Sequence, residues 1–193
     1  MGIFKGLALF FGLGTSVLLW IVILKSGKKQ GSSFASFMIW GVLNSMLATS
    51  IWLQGGNYSL VALYALTSFI TGVCIVWVQG VRWTPDDTVI AVIAILCMVS
   101  CFGRTAYYVT IVSTIATLLG CLPQFRDIRK NPDHQKYWPW IGFGLSHICS
   151  IAAGTEWSIP QRFYPTCCLV STAILIQQII LVQSKRSLSY KAC

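Results

Sequence analysis

Charge-free stretches cover residues 6–24, 30–81, 88–103, 105–125, 137–155 and 163–184. A helix needs about 20 apolar residues to cross a hydrocarbon core ~30 Å thick, so the second stretch is too long for one crossing. It is broken by Gln54-Gly55-Gly56-Asn57-Tyr58-Ser59, a polar, glycine-rich turn signal. The pattern therefore predicts seven helices, near 6–25, 33–53, 58–80, 88–103, 106–125, 138–154 and 163–184. The fourth is the shortest. At 1.5 Å per residue it reaches only about 24 Å, and Asp87 and Arg104 would sit at the two interfaces.

Composition agrees with a bundle of membrane-spanning helices. Only 10% of the residues are charged and the mean hydropathy is +0.71, whereas a soluble domain carries about 25% charged residues. The net charge of +9 would suggest nucleic acid in a soluble protein. Here its distribution gives orientation instead, and no nucleic-acid partner is expected. With the N-terminus outside, 11 Lys and Arg fall on inner loops and the tail, while Lys5, Arg104 and Arg162 fall outside. That is the positive-inside bias. Removing one span after the third would destroy it. The expectation is a multi-pass protein with its N-terminus outside and its C-terminus cytoplasmic, and with no cleaved leader. The eight Cys are spread through apolar runs as small packing residues, not as a disulfide framework.

The first three and last three helices share a plan: helix, basic inner loop, helix, short outer loop, helix. Val78-Gln79 and Val182-Gln183 both end a third helix, Gly14 and Gly120 each precede a basic loop, and Phe34 falls opposite Trp140. Because the fourth helix crosses back, the two units would be parallel. The expected fold is all-α, two three-helix repeats over 1–84 and 105–193 joined by a linker helix over 85–104. Parallel repeats of this kind are one architecture of secondary transporters, with substrate held between the halves.

A carrier for polar solutes needs uncharged hydrogen-bonding groups and aromatic faces at mid-depth. The mid-span candidates are Asn44, Ser45, Ser68, Thr71, His147, Ser171, Thr172, Gln177 and Gln178. Adjacent residues point about 100° apart on a helix, so Gln177 and Gln178 cannot face one spot, and at least one should face inward. Each candidate has a second use as an interhelical hydrogen bond, worth ~0.6 kcal/mol on average. His147 is the only His deep in a span and a candidate proton site, or simply a packed histidine. No haem pair, retinal lysine, C-x-x-C, zinc motif or nucleotide loop appears, so neither an enzyme nor a bound cofactor or metal is expected.

Leu119-Gly120-Cys121-Leu122-Pro123-Gln124-Phe125-Arg126-Asp127-Ile128-Arg129-Lys130-Asn131 ends the fifth helix and enters a basic loop. Together with the seven-helix plan, this resembles the PQ-loop superfamily, which includes the SWEET sugar transporters and the cystinosin-like amino-acid exporters. The resemblance covers nearly the whole chain. It implies alternating access, with Pro123 as a hinge and Gln124 hydrogen-bonding across the halves. Pro139, in Tyr137-Trp138-Pro139-Trp140, stands where the family carries a proline. Thr166 stands where its sugar-binding Asn usually does, and Ala62 falls near the partner Asn position. Val17-Leu18 occupies the place of the first Pro-Gln pair, and Ala153 lies near a missing sugar-facing Trp. Asp127 lies just past the Pro-Gln pair, where some amino-acid exporters couple protons. The resemblance thus implies facilitated diffusion of a small polar solute, a sugar first. A proton-coupled amino-acid exporter and a non-transporting receptor or adaptor are the alternatives. A homo-oligomer could form through Gly142-Phe143-Gly144.

Overall fold

The computed structural model describes residues 2–26, 34–81, 83–130 and 137–191, without the side chains of residues 86, 123, 127, 130 and 185–191. Among these residues it is all-helical: α1 (Gly2–Ser26), α2 (Phe34–Leu53), α3 (Ser59–Gln79), α4 (Pro85–Cys101), α5 (Ala106–Leu119), α6 (Leu122–Lys130), α7 (Trp138–Ala153) and α8 (Tyr164–Lys191). A short π-helical turn, Ile159–Phe163, leads into α8. Since α5 and α6 run in series, the elements amount to seven rods. Five are long and apolar enough to cross a membrane: α1, α2, α3, α5 with the start of α6, and α8 with its π turn. At 17 and 16 residues, α4 and α7 are shorter, about 24–26 Å.

Several boundaries differ from the sequence expectation, three of them with a clear physical reason or consequence. The basic segment after the fifth span is not a loop but α6. Pro123 has no N–H to donate to the Leu119 carbonyl, so the α5 ladder stops. A new helix starts at Leu122, where a proline in the first turn is tolerated. Second, α4 begins at Pro85. Thr84 caps it: its Oγ1 accepts from the Asp87 N–H at 3.3 Å while Asp87 Oδ2 accepts from the Thr84 N–H at 2.7 Å. Asp87 is therefore buried in a capping box. Third, α8 runs on to Lys191, beyond the expected end at 184.

The turn between α2 and α3 forms at the predicted place, with Gly55 at φ +70°, a conformation that L side chains rarely adopt. In the bundle, α3 packs against both α1 and α2, and α8 against α7 and, more lightly, α5. The large contacts between these groups are α1 with α7 and α2 with α5, and α4 lies against α5 and α2. Two glycines set the closest approaches. A Cβ on Gly142 would collide with Thr15 of α1, and one on Gly120 with the Trp40 indole of α2. Gly144 faces Leu169 and Thr172 of α8. The Gly142-Phe143-Gly144 segment expected at an oligomer contact is thus already used inside the chain, because small residues let these helices approach closely.

Candidate functional site: a central cavity

Two apolar clusters lie toward opposite ends of the bundle. One joins Ala8, Leu47, Ile51, Leu60 and Tyr64 with Tyr164 and Cys168. The other joins Leu19, Ile23, Phe37, Trp40, Ile75 and Cys121, beside the ends that carry the basic loops. Between them is a cavity of about 100 Å³, lined from α1, α2, α3, α5, α7 and α8. Its lining residues fall near the middle of most of these helices: Ser16, Asn44, Ser68, His147 and Thr172 are examples.

Seven rings border it, from Phe37, Trp40, Tyr64, Trp140, Phe143, His147 and Tyr164. The His147 ring meets Tyr64 edge-on at 5.3 Å and Tyr164 at 6.0 Å. The Tyr164 hydroxyl donates to Asn44 Oδ1 at 3.1 Å, tying α8 to α2. The Tyr64 hydroxyl bonds to Ser146 Oγ, tying α3 to α7. Below them the Trp20 indole donates to Thr71 Oγ1 at 2.8 Å and the Trp40 indole to the Thr117 carbonyl at 3.1 Å. His147 is only 4% exposed, and its Nδ1 has no hydrogen-bond partner. A buried polar atom without a partner is costly. None of the described lining residues is a Lys, Arg, Asp or Glu.

Of the four substrate-binding residues expected from sequence, Asn44 and His147 meet in this cavity. Thr166 and Gln177 do not: both are on the exposed face of α8. The buried stripe of α8 runs through Tyr164, Cys168, Thr172, Leu175 and Ile179. Thr166 is two residues from Tyr164 and from Cys168, and Gln177 two from Leu175 and from Ile179. Two residues are about 200° of helix, so both side chains point away from the cavity. Gln178 is half-buried and is not among the cavity's lining residues. Ser45 also points outward and donates to the Gly41 carbonyl at 2.8 Å. Gln124 is buried on α6 and Pro139 is buried in the first turn of α7. The side chains of Pro123 and Asp127 lie outside the described residues, and the backbone break sits beside Pro123.

Sequence reasoning missed the ring wall, Tyr64 and Tyr164 above all, and the hydroxyls of Ser16 and Thr67. The signal was available in α3. Leu60, Tyr64, Thr67, Thr71 and Ile75 recur at three- and four-residue spacing, a stripe that mixes polar groups into a buried face. Comparison with protein families, with curated proteins and with solved structures gives no match to this chain.

Proposed function

We propose that this protein is a seven-helix membrane carrier that moves a small polar solute through the central cavity by alternating access. The observation that carries this reading is the cavity itself, in which polar and aromatic side chains from six helices converge at mid-depth between two apolar clusters. A helix bundle with no cargo has little reason to gather Asn44, His147 and two tyrosines there, because burying polar groups costs free energy that an apolar core avoids. Separating one cluster at a time would open the cavity to one side at a time.

The packing pattern supports two parallel three-helix units over 1–84 and 105–193, linked by α4. Exchanging α1 with α5, α2 with α7 and α3 with α8 turns the α1–α7 contact into the α2–α5 contact. The same exchange turns the contacts of α3 with α1 and α2 into those of α8 with α5 and α7. That is the relation two repeats about an axis along the membrane normal would have. Exposed tryptophans support a membrane setting. Trp77, Trp83 and Trp138 lie at the helix ends next to the basic loops, and Trp52 and Trp157 at the opposite ends. Tryptophan favours both bilayer interfaces. With the basic loops cytoplasmic, the N-terminus is outside. The PQ-loop-like segment at Leu122-Pro123-Gln124 agrees with this architecture, and the break in the α5–α6 rod gives Pro123 a place to act as a hinge.

The test is solute uptake by purified protein in liposomes, over a panel of neutral sugars, polyols and amino acids, with and without a pH gradient. Saturable flux that ignores the gradient is the expected result. Gradient-dependent amino-acid flux would assign a coupled exporter instead, and no flux from folded protein would leave a receptor or adaptor.

A further inference from the structure

The cavity's hydrogen-bonding capacity is weighted toward acceptors. A hydroxyl has one proton to give and two lone pairs to receive with. Ser16 donates to the Gly12 carbonyl at 2.9 Å, Thr71 to the Thr67 carbonyl at 2.6 Å and Ser171 to the Cys168 carbonyl at 2.9 Å. Thr67 and Thr117 likewise donate to the carbonyls of Tyr64 and Ser113, at 3.4 and 2.8 Å. The tyrosines follow the same rule. Tyr164 gives its proton to Asn44. Ser146 donates to the Phe143 carbonyl at 2.6 Å, so in its bond with Tyr64 the tyrosine must be the donor. Seven of the nine lining hydroxyls therefore have their proton committed within the protein, the exceptions being Ser68 and Thr172. What remains is weighted toward lone pairs and the electron-rich faces of the rings, with the Asn44 amide, the Ser68 and Thr172 hydroxyls and the Trp140 indole N–H as the side-chain donors. His147, lacking any partner for Nδ1, adds a further group available to a guest.

Size and charge narrow the guest further. An apolar cavity of about 150 Å³ holds one benzene molecule. At about 100 Å³ this one has room for roughly four to six heavy atoms. No charged side chain is present among the described lining residues to neutralise an ion, and an unpaired ion is far more costly to bury than a neutral group.

We propose that the cavity takes an uncharged solute between urea and glycerol in size, recognised chiefly through the hydrogen-bond donors the solute carries. Its N–H or O–H groups would meet the lone pairs of Ser16, Thr67 and Ser171 and the ring of His147, while Asn44 donates to its oxygen. The binding claim stands apart from transport, but its physiological meaning rests on the carrier reading above.

The experiment measures flux of labelled urea, glycerol, glucose, choline and tetramethylurea into proteoliposomes, alongside scintillation-proximity binding of the same solutes to protein in detergent. Saturable flux of urea or glycerol at least about tenfold above that of glucose, choline and tetramethylurea is expected. Replacing His147 with Phe should reduce it several-fold, and His147→Gln should restore part of the loss. Glucose carried as fast as glycerol would overturn the size limit, and tetramethylurea carried as fast as urea would overturn donor recognition. Preferred choline flux would overturn neutrality. In those three cases the carrier reading survives. Binding of urea or glycerol without any flux would keep this inference and defeat the carrier reading. Neither binding nor flux for any of them would defeat both.

Discussion

The two large seams of the bundle are built alike and held differently. Each closes on a glycine: α1 meets α7 where Thr15 fills the space above Gly142, and α2 meets α5 where the Trp40 indole lies over Gly120. Across the α2–α5 seam there are also polar bonds. Trp40 donates to the Thr117 carbonyl, Ser50 and Thr110 hydroxyls meet at 2.9 Å, and Gln54 Nε2 donates to Thr110 Oγ1 at 2.8 Å. Among the described residues, no such side-chain bond joins α1 to α7. A hydrogen bond must be broken and re-made when helices part, whereas close apolar packing in lipid can slide at little polar cost. If the two units rock, α2–α5 is the pivot and α1–α7 the seam that opens.

Overpacking is the harshest way to break that comparison. Gly142→Leu and Gly120→Leu should each destabilise by about 1–3 kcal/mol or more, read as a loss of folded protein and of melting temperature in detergent. Thr15→Ala should recover much of the loss in the milder Gly142→Ala protein by vacating the space, and should do nothing for Gly120→Ala. Equal rescue of both would mean that the seams are not independent.

Removing a single tie between the seams comes next. Tyr164→Phe deletes the bond to Asn44 and leaves the Asn44 oxygen buried, at a cost of about 1–2 kcal/mol in thermal or denaturant unfolding. Thr110→Val removes the partner of both Ser50 and Gln54, and should cost ~0.6–1.7 kcal/mol. If the latched seam is the pivot, Thr110→Val also lowers solute flux more than its stability change explains. A loss of stability with flux intact would remove the pivot role.

The smallest effects belong to the outward residues of α8. On the carrier reading, Thr166→Ala and Gln177→Leu should leave solute affinity within about twofold of the parent and change stability by no more than ~0.5 kcal/mol. A tenfold affinity change at either position would return it to the binding site and contradict the orientation of α8.

The family likeness placed Thr166 where a sugar-binding Asn usually stands, but whether a side chain reaches a cavity depends on helix phase. A shift of two residues moves it to the opposite face. Asn44 and His147, chosen as uncharged polar groups deep in apolar runs, do line the cavity. Such groups are expensive against lipid, and the reasoning used that cost. The same cost did not turn Gln177 inward, since Gln178 took the more buried position beside it. The rings escaped notice because Tyr64 and Tyr164 look like ordinary apolar helix residues until their hydroxyls find Ser146 and Asn44, 82 and 120 residues away.

The helices themselves were legible along the chain: seven rods, their approximate ends and the turn at Gly55 follow from runs of apolar residues and from turn chemistry, both of which act over a few neighbouring positions. The helical continuation through Arg126–Lys130 was not, because a basic segment suits either a loop or a short amphipathic helix, and its packing against α8 favours the second. Which faces meet, which glycines carry the closest contacts and which hydroxyls surround the cavity were decided only in the tertiary structure. Those choices depend on the rotation of each helix about its own axis, which is set by packing against partners distant in sequence.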